Sequence, residues 1–363
     1  MKKALIAMSG GVDSSVAASL MVEKGYECIG VTMKLYDNDD IGIEKSNTCC
    51  SVEDTQDAAS VAHKLGMPYY VFNFTDDFRE KVMDRFVNCY LCGETPNPCI
   101  DCNRYMKFEH LFHRGMVLGC DKVVTGHYAR IHYDEASDRW QLRTAADDTK
   151  DQSYVLYSLT QEQLAHTEFP LGEMKKTDAR DYAESHGFLN ARKHDSQDIC
   201  FVPDGHYEKF IETYLGHAMP KGNFVDEEGN VLGQHKGIIS YTVGQRKGLG
   251  IAAKYPLYVK EIRPETNEVV LCKHEALFQD TLYAKDLNWV SIAEPEQEIR
   301  VLAKIRYKHT PQPATARVLE NGLLEVVFDK PQRAITKGQA VVLYDGELGE
   351  LVLGGGTICE KDG

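Results

Sequence analysis

Ala4-Leu5-Ile6-Ala7-Met8-Ser9-Gly10-Gly11-Val12-Asp13-Ser14-Ser15-Val16-Ala17 reads as a buried strand, a Gly-Gly turn and the first turn of a helix. The apolar run Ala4 to Met8 suits a strand covered on both faces. Val16, Ala17, Leu20 and Met21 then share one helical face, and Gly25 is a stop signal. Glycines let the backbone approach a charged ligand closely, and the unsatisfied N–H groups and dipole of a helix N-terminus face that ligand. Ser9, Ser14 and Ser15 add hydroxyls. The stretch predicts an anion cradle, and its natural anion is a phosphate chain. A Walker A loop needs Lys followed by Ser or Thr, and a dinucleotide loop needs G-x-G-x-x-G; the stretch has neither.

Working outward, strands and helices alternate. Tyr26 to Met33 and Tyr69 to Phe74 read as strands, and Val52 to Leu65 as a helix closed by Gly66. Phe78, Val82, Met83, Phe86 and Val87 share a helical face, and Lys122 to Thr125 is a short strand ending at Gly126-His127. This order predicts an α/β fold: a doubly wound parallel sheet whose ligands bind beyond the carboxyl ends of the strands. From about residue 206 glycines punctuate short apolar runs, and after about residue 280 strand patterns dominate. Ile299, Val301, Ala303, Ile305 and Tyr307 alternate with Arg300, Leu302, Lys304 and Arg306, so one face is apolar and the other carries three cations. The expected units are residues 1–205 (catalytic), 206–280 (small, mostly β) and 281–363 (β-barrel).

The 363 residues, 43% of them hydrophobic, suffice for two or three cored domains. Lys2-Lys3 before an apolar run mimics a secretion signal, but the run breaks at Ser9, and no stretch reaches membrane-spanning length. A cytoplasmic protein with no membrane partner is expected. The net charge of -14 argues against indiscriminate nucleic-acid binding. A local surface can still dock phosphates: from Arg300 to Lys337 there are eight cations against Glu320, Glu325 and Asp329.

Eleven cysteines favour metal binding or thiol chemistry over a disulfide framework. Cys89-x2-Cys92 and Cys99-x2-Cys102 invite a zinc reading, though the six residues between the pairs are fewer than a zinc ribbon uses. The segment from Asn97 to Asn103 runs into a helix start expected at Lys107-Phe108, which places Cys102 near a helix N-terminus, where a thiolate is favoured. Cys200 lies far along the chain, and Cys49-Cys50 carry no assignment.

Ser9 to Ser14 resembles the PP-loop, SGGxDS, of ATP pyrophosphatases. The further segments are Asn97 to Asn103, Gly126 to Arg130, Lys150 to Tyr154, Ser196 to Phe201 and Tyr241 to Arg246. With Phe328-Asp329, Gly338-Gln339 and Leu353 to Gly356 they follow the order seen in bacterial tRNA-specific 2-thiouridylases, over essentially the whole chain. The resemblance implies ATP-dependent thiolation of the wobble uridine in tRNAs for Lys, Glu and Gln, through adenylation of the 2-oxygen. It implies that Ala7, Met8, Ser9, Gly10, Gly11, Val12, Asp13 and Ser14, with Met33 and Gly126, bind ATP, and that Mg2+ offsets the phosphate charge. Asp13 is then a metal or water ligand, or simply a helix N-terminal carboxylate. Cys200 would carry a persulfide received from a sulfur-relay protein or a cysteine desulfurase. Cys102 would attack it or resolve it, leaving a transient Cys102–Cys200 disulfide. Asn97, Pro98 and Cys99 would meet the target base; His127, Lys150, Asp151, Gln152, Arg306, Tyr307 and Gln339 would meet tRNA.

One position departs from the family pattern: Cys99 stands where Asp is usual. Cys99, Cys102 and Cys200 together are three candidate ligands for a [4Fe-4S] cluster, an alternative to the persulfide route. An adenylating, amidating synthetase is the nearest other reading; it needs an amine nucleophile and no paired cysteines.

Overall fold

The computed structural model describes residues 2–37, 52–193 and 199–361; Cys49, Cys50 and Ser196 to Asp198 lie outside them. The first region contains β1 (Lys3–Ala7), β2 (Glu27–Lys34), β3 (Tyr69–Asn73), β4 (Lys122–Val124), a hairpin of β5 (Arg130–Asp134) and β6 (Arg139–Arg143), and β7 (Thr167–Glu168). Five of these make a parallel sheet in the order β3-β2-β1-β4-β7. Ala4, Leu5 and Ile6 are fully buried because alternate residues of β1 feed two cores, Leu5 one and Ala4 and Ile6 the other. The strand order reverses between β1 and β4, and the crevice this opens at their carboxyl ends is where open α/β sheets bind ligands.

Helix α1 (Val12–Glu23) follows β1, and α2 (Val52–Lys64) precedes β3. The face expected of α1 is buried at Val16, Ala17 and Met21, but Leu20 is only half-buried. Ala18 and Ser19 are buried instead, and Ser19 Oγ lies 2.9 Å from Tyr182 OH on the helix Lys176–Ser185. Small side chains let that second helix close onto α1.

The middle region holds β8 (Gly222–Val225), β9 (Val231–His235), β10 (Tyr258–Arg263) and β11 (Glu268–Cys272), in the order β10-β11-β8-β9. Its buried Phe224, Val259, Val269 and Leu271 share a core with Phe86, Phe201 and Phe210. The last region is β12 (Phe278–Asn288), β13 (Ile299–Lys304), β14 (Gln312–Val318), β15 (Leu324–Arg333), β16 (Ala340–Asp345) and β17 (Leu351–Cys359). They run β12-β15-β14-β13-β16-β17, and β12 also pairs with β17, which closes the barrel. Val301, Ala303 and Ile305 are buried as the alternation requires, but the strand ends at Lys304.

The sequence reading did not include the hairpin: β6 extends the barrel's sheet through Val352↔Leu142 and Leu351↔Arg143. The first region therefore contributes strands to two sheets. No helix among the described residues is long and apolar enough to cross a membrane.

Candidate active site

The turn after β1 is built so that only glycine fits. Gly10 has φ +73, and a Cβ there would run into the Asp54 carbonyl at the start of α2. Gly126, in the turn after β4, leaves room for just 2.7 Å between an added Cβ and the Asp13–Ser14 backbone, so the two turns touch across the crevice. Gly11 caps α1 and no side chain caps the first-turn N–H groups, which leaves them for an anion. Ser14 and Ser15 hydroxyls both donate to the Gly11 carbonyl, at 3.0 and 3.1 Å, so they shape the loop rather than project from it. Asn190, 4% exposed, donates to the Gly10 carbonyl at 3.0 Å and to Ser15 Oγ at 2.9 Å. On the β2 side Thr32 Oγ1 donates to the Met8 carbonyl at 2.6 Å, one residue before the half-buried Met33.

Asp13 is a helix N-terminal carboxylate with a partner that the sequence does not signal. Lys176 Nζ lies 2.7 Å from each of its oxygens, and Tyr128 OH donates to Oδ1 at 2.8 Å. A metal would have to displace that ammonium. With the ammonium in place, the loop's residues fit a Mg2+ held by the nucleotide's phosphates better than one held by Asp13 directly. Lys193 closes the loop's other flank, 2.5 Å from Asp54 Oδ1 and 2.6 Å from Asp57 Oδ2.

The helix that carries the first thiols starts earlier than expected. Pro98 is its first residue, and Asn97 caps it by accepting from the Cys99 N–H at 3.1 Å. Pro98–Asp101, the wider-wound Cys102–Leu111 and Phe112–Val117 follow without interruption. Cys99 thus occupies the first turn, where the dipole acts, and Cys102 lies just beyond it. Cys102 and Cys200 are both half-buried and pack on one core, to which Ala7 and Met33 also pack. Tyr36 OH donates to the Cys200 carbonyl at 2.7 Å. Phe201 stands edge-on to Phe78 and Phe86, with centroids 5.7 and 5.3 Å away. The Cys200 segment is thus anchored on β2's C-terminal side and on the aromatic residues of 75–91.

Asp101 borders a cavity of about 460 Å3 between this helix and the barrel, together with Arg85, Cys89, Asn97 and Gly338. Cys89 and Cys92 are free thiols. Burial, with Glu94 nearby, pushes the Cys89 thiol up to about 12, so it is protonated and inert as a nucleophile. Among the described residues no three His, Cys, Asp or Glu side chains stand together as metal ligands would. The zinc reading of the two CxxC pairs does not fit, and Cys99, Cys102 and Cys200 are not assembled as a cluster site.

The positions expected to meet tRNA form a seam between the first region and the barrel. His127 is buried: Nδ1 is 2.6 Å from Thr125 Oγ1 and Nε2 is 3.4 Å from Lys107 Nζ. Burial, reinforced by Lys107, holds the imidazole well below its usual pKa, hence neutral. Gln152 exchanges two 2.9 Å hydrogen bonds with the Tyr128 backbone. The Asp151 carboxylate accepts from Ala145 N, Ser153 N and Ser153 Oγ. Lys150 is half-buried beside them. Tyr307 OH donates to the Asp151 carbonyl at 3.2 Å, and Lys304 lies 5.7 Å from the ring centres of Tyr154 and Tyr307. Gln339 Nε2 donates to the Thr95 carbonyl at 2.7 Å, strapping the loop before Asn97 to the barrel.

The basic stretch is more self-neutralised than its composition suggests. Arg300, Arg317 and Lys337 face Asp329, Glu325 and Glu360, and Arg306 is spent on the carbonyls of Arg333 and Ala334. Lys176, Asn190, Lys193 and Tyr128 were missed as site residues. Tyr128 lies within the Gly126 to Arg130 segment, whereas Lys176, Asn190 and Lys193 signal only as a Lys opening a helix and polar residues before the Cys200 segment; none of these names a partner.

Three family profiles match the chain end to end. One described as "tRNA methyl transferase HUP domain" covers residues 2–204, one as "tRNA methyl transferase PRC-barrel domain" 208–273, and one as "Aminomethyltransferase beta-barrel domain" 279–358. A "tRNA-specific 2-thiouridylase MnmA" of Clostridioides difficile (strain 630) is 50% identical over 98% of each chain. That of Lachnoclostridium phytofermentans is 51% identical over 99% of this chain and all of its own. Among solved structures, a 4-thiouridine synthetase–RNA complex with bound ATP is 20% identical and covers 59% of this chain and 50% of its own at TM-score 0.38. The full-length likeness at half identity decides the matter: this chain belongs to the family of tRNA-specific 2-thiouridylases.

Proposed function

We propose that this enzyme replaces O2 of the wobble uridine of tRNAs for Lys, Glu and Gln with sulfur, at the expense of ATP. The carbonyl oxygen of uridine is a poor leaving group. Its attack on the α-phosphorus of ATP in the Ala7–Ser14 cradle expels pyrophosphate and turns it into an adenylate. A persulfide on Cys200, loaded by a sulfur-relay protein or a cysteine desulfurase, then supplies the nucleophile. Its terminal sulfur bonds to C2, and the Cys102 thiolate attacks Cys200 Sγ. The S–S bond breaks, its electron pair stays with the nucleoside sulfur, and AMP leaves. The product is 2-thiouridine together with a Cys102–Cys200 disulfide, which a cellular dithiol reopens. Release of sulfide by Cys102 before attack on C2 gives the same balance. The reading places the enzyme in the cytoplasm, where tRNA and a reducing dithiol are at hand.

Cys99 sits in the first turn of the capped helix, where Asn97 to Cys99 would meet the base edge. A thiol replaces the usual carboxylate there, so proton transfer by a carboxylate at this position forms no part of the mechanism. The observation that carries the reading is the uncapped first turn of α1 behind the Gly10–Gly11 turn, in a chain half identical to 2-thiouridylases over nearly its full length.

Nucleosides from tRNA incubated with the enzyme, ATP, Mg2+ and a persulfide donor should show uridine about 16 Da heavier, with pyrophosphate released. Cys200→Ser should abolish that product. A gain of about 14 Da, the mass of a methyl group, would instead support the methyl transfer that the profile descriptions name. Unchanged product from Cys200→Ser would refute the persulfide route.

A further inference from the structure

Lys176 belongs to none of the segments that carry the family likeness, yet it makes an ionic contact with a residue of the phosphate loop itself. Its side chain is 9% exposed and that of Asp13 31%, with 2.7 Å from Nζ to either oxygen. The lysine is therefore buried against a carboxylate that keeps about a third of its own surface exposed. Tyr128, 2% exposed, grips Oδ1 from the β4 turn. Asp147 fixes where the lysine's helix begins by accepting from the Lys176 N–H at 2.9 Å.

Asp13 is the second residue of α1, within the turn whose bare N–H groups draw a phosphate. A lone carboxylate in that turn repels the same phosphate. Among the described residues the flank across the loop offers no surplus positive charge, because Lys193 faces two carboxylates there, Asp54 and Asp57. The charge at Asp13, inside the first turn itself, therefore bears directly on how well the cradle attracts a triphosphate.

We propose that Lys176 is a positioning residue that cancels the Asp13 charge, so that the loop attracts the nucleotide's phosphates without a protein-held divalent cation. The inference rests on the reading of the loop as the ATP site. It assigns Lys176 no contact with the nucleotide; the lysine acts through Asp13.

The test is the affinity of the full-length protein for ATP, AMP and adenosine, measured by calorimetry with and without Mg2+. Wild type should bind ATP in EDTA. Lys176→Met exposes one negative charge a few ångströms from the phosphates and should weaken ATP roughly 10- to 100-fold, AMP less and adenosine by less than about twofold. Added salt should shrink the ATP defect. The double variant Asp13→Asn/Lys176→Met should recover most of the lost affinity. It also answers the question if the single variant does not fold.

A purely structural lysine would move adenosine and ATP together, and that result overturns the inference. So does a double variant that stays as weak for ATP as the single one, because the ammonium would then be meeting phosphate directly. If wild type binds no ATP, it is the nucleotide reading that falls. If wild type binds ATP and Lys176→Met binds it equally well, only the role of Lys176 falls.

Discussion

Asp101 precedes Cys102 on the thiol-bearing helix and is 7% exposed, with Arg85 Nε 3.3 Å away. Burial is the larger influence and pushes its carboxyl up to about 6, while Arg85 and Arg104 pull the other way. A carboxyl whose folded pKa is raised contributes stability that is fully present below the unfolded value near 4 and is lost as pH rises through 6. Asp101→Asn removes that titration. Relative to wild type the variant should gain stability between pH 4 and about 6.5, by about 1–3 kcal/mol, and the difference should then stay flat. Thermal or urea melts across that range measure it, and a difference that does not change with pH contradicts the account. Nothing in the string Asn97 to Asn103 signals this burial. It is imposed by the barrel packing over the helix, which a linear pattern does not contain.

At the level of elements, legibility depended on where the partner lies. The strands at Tyr26 to Met33, Tyr69 to Phe74 and Lys122 to Thr125 lie within a residue of β2, β3 and β4: the inner strands β2 and β4 write buried apolar runs, and the edge strand β3 writes an apolar, aromatic one although Tyr70 and Val71 are exposed. The helix carrying Cys102 was expected from Lys107, whereas it begins at Pro98. The signal was present: Asn followed by Pro is a cap and a first helical residue. It was obscured because Gly93, Pro96 and Pro98 together read as loop. The β5–β6 hairpin was illegible for a different reason, since the strand that holds it, β17, lies near the other end of the chain. The cap itself makes a prediction. Asn97→Ala should cost about 1 kcal/mol and speed hydrogen exchange of the first-turn amides of Cys99 to Asp101 about fivefold. Thiolation of tRNA should fall with it, because Cys99 and the helix start lose their fixed position. Exchange measured by mass spectrometry on peptides covering residues 95–105 checks this; unchanged protection would mean that the strap from Gln339 to Thr95, not the cap, holds the turn.

The whole molecule is tied together by cores that ignore the three-part division of the sequence. Phe108, Tyr154, Leu156 and Tyr157 from the first region pack with Val342, Tyr344 and Val352 of the barrel. Polar ties run along the same boundary. Tyr154 OH donates to the Ala340 carbonyl at 2.8 Å, Asn288 Nδ2 to the carbonyls of Tyr157 and Leu159 at 2.6 and 3.0 Å, and Leu142 N to Ser291 Oγ at 2.9 Å. Each large apolar side chain uncovered by removing the barrel forfeits about 1.5–3 kcal/mol, and a few such losses equal a domain's net stability. A chain ended after residue 278 also strands β6, whose outer neighbour in the sheet is β17. Such a truncated chain should therefore melt without a sharp transition, be cut rapidly by protease around residues 130–160 and bind ATP far more weakly than the full chain. The phosphate loop is remote from the cut, but the seam is linked to Asp13: Gln152 N donates to the Tyr128 carbonyl, Gln152 Oε1 accepts from Tyr128 N, and Tyr128 OH donates to Asp13. If the piece instead unfolds cooperatively and holds ATP as tightly as the intact protein, the shared core contributes nothing to the nucleotide site, and the barrel is an appendage for tRNA alone.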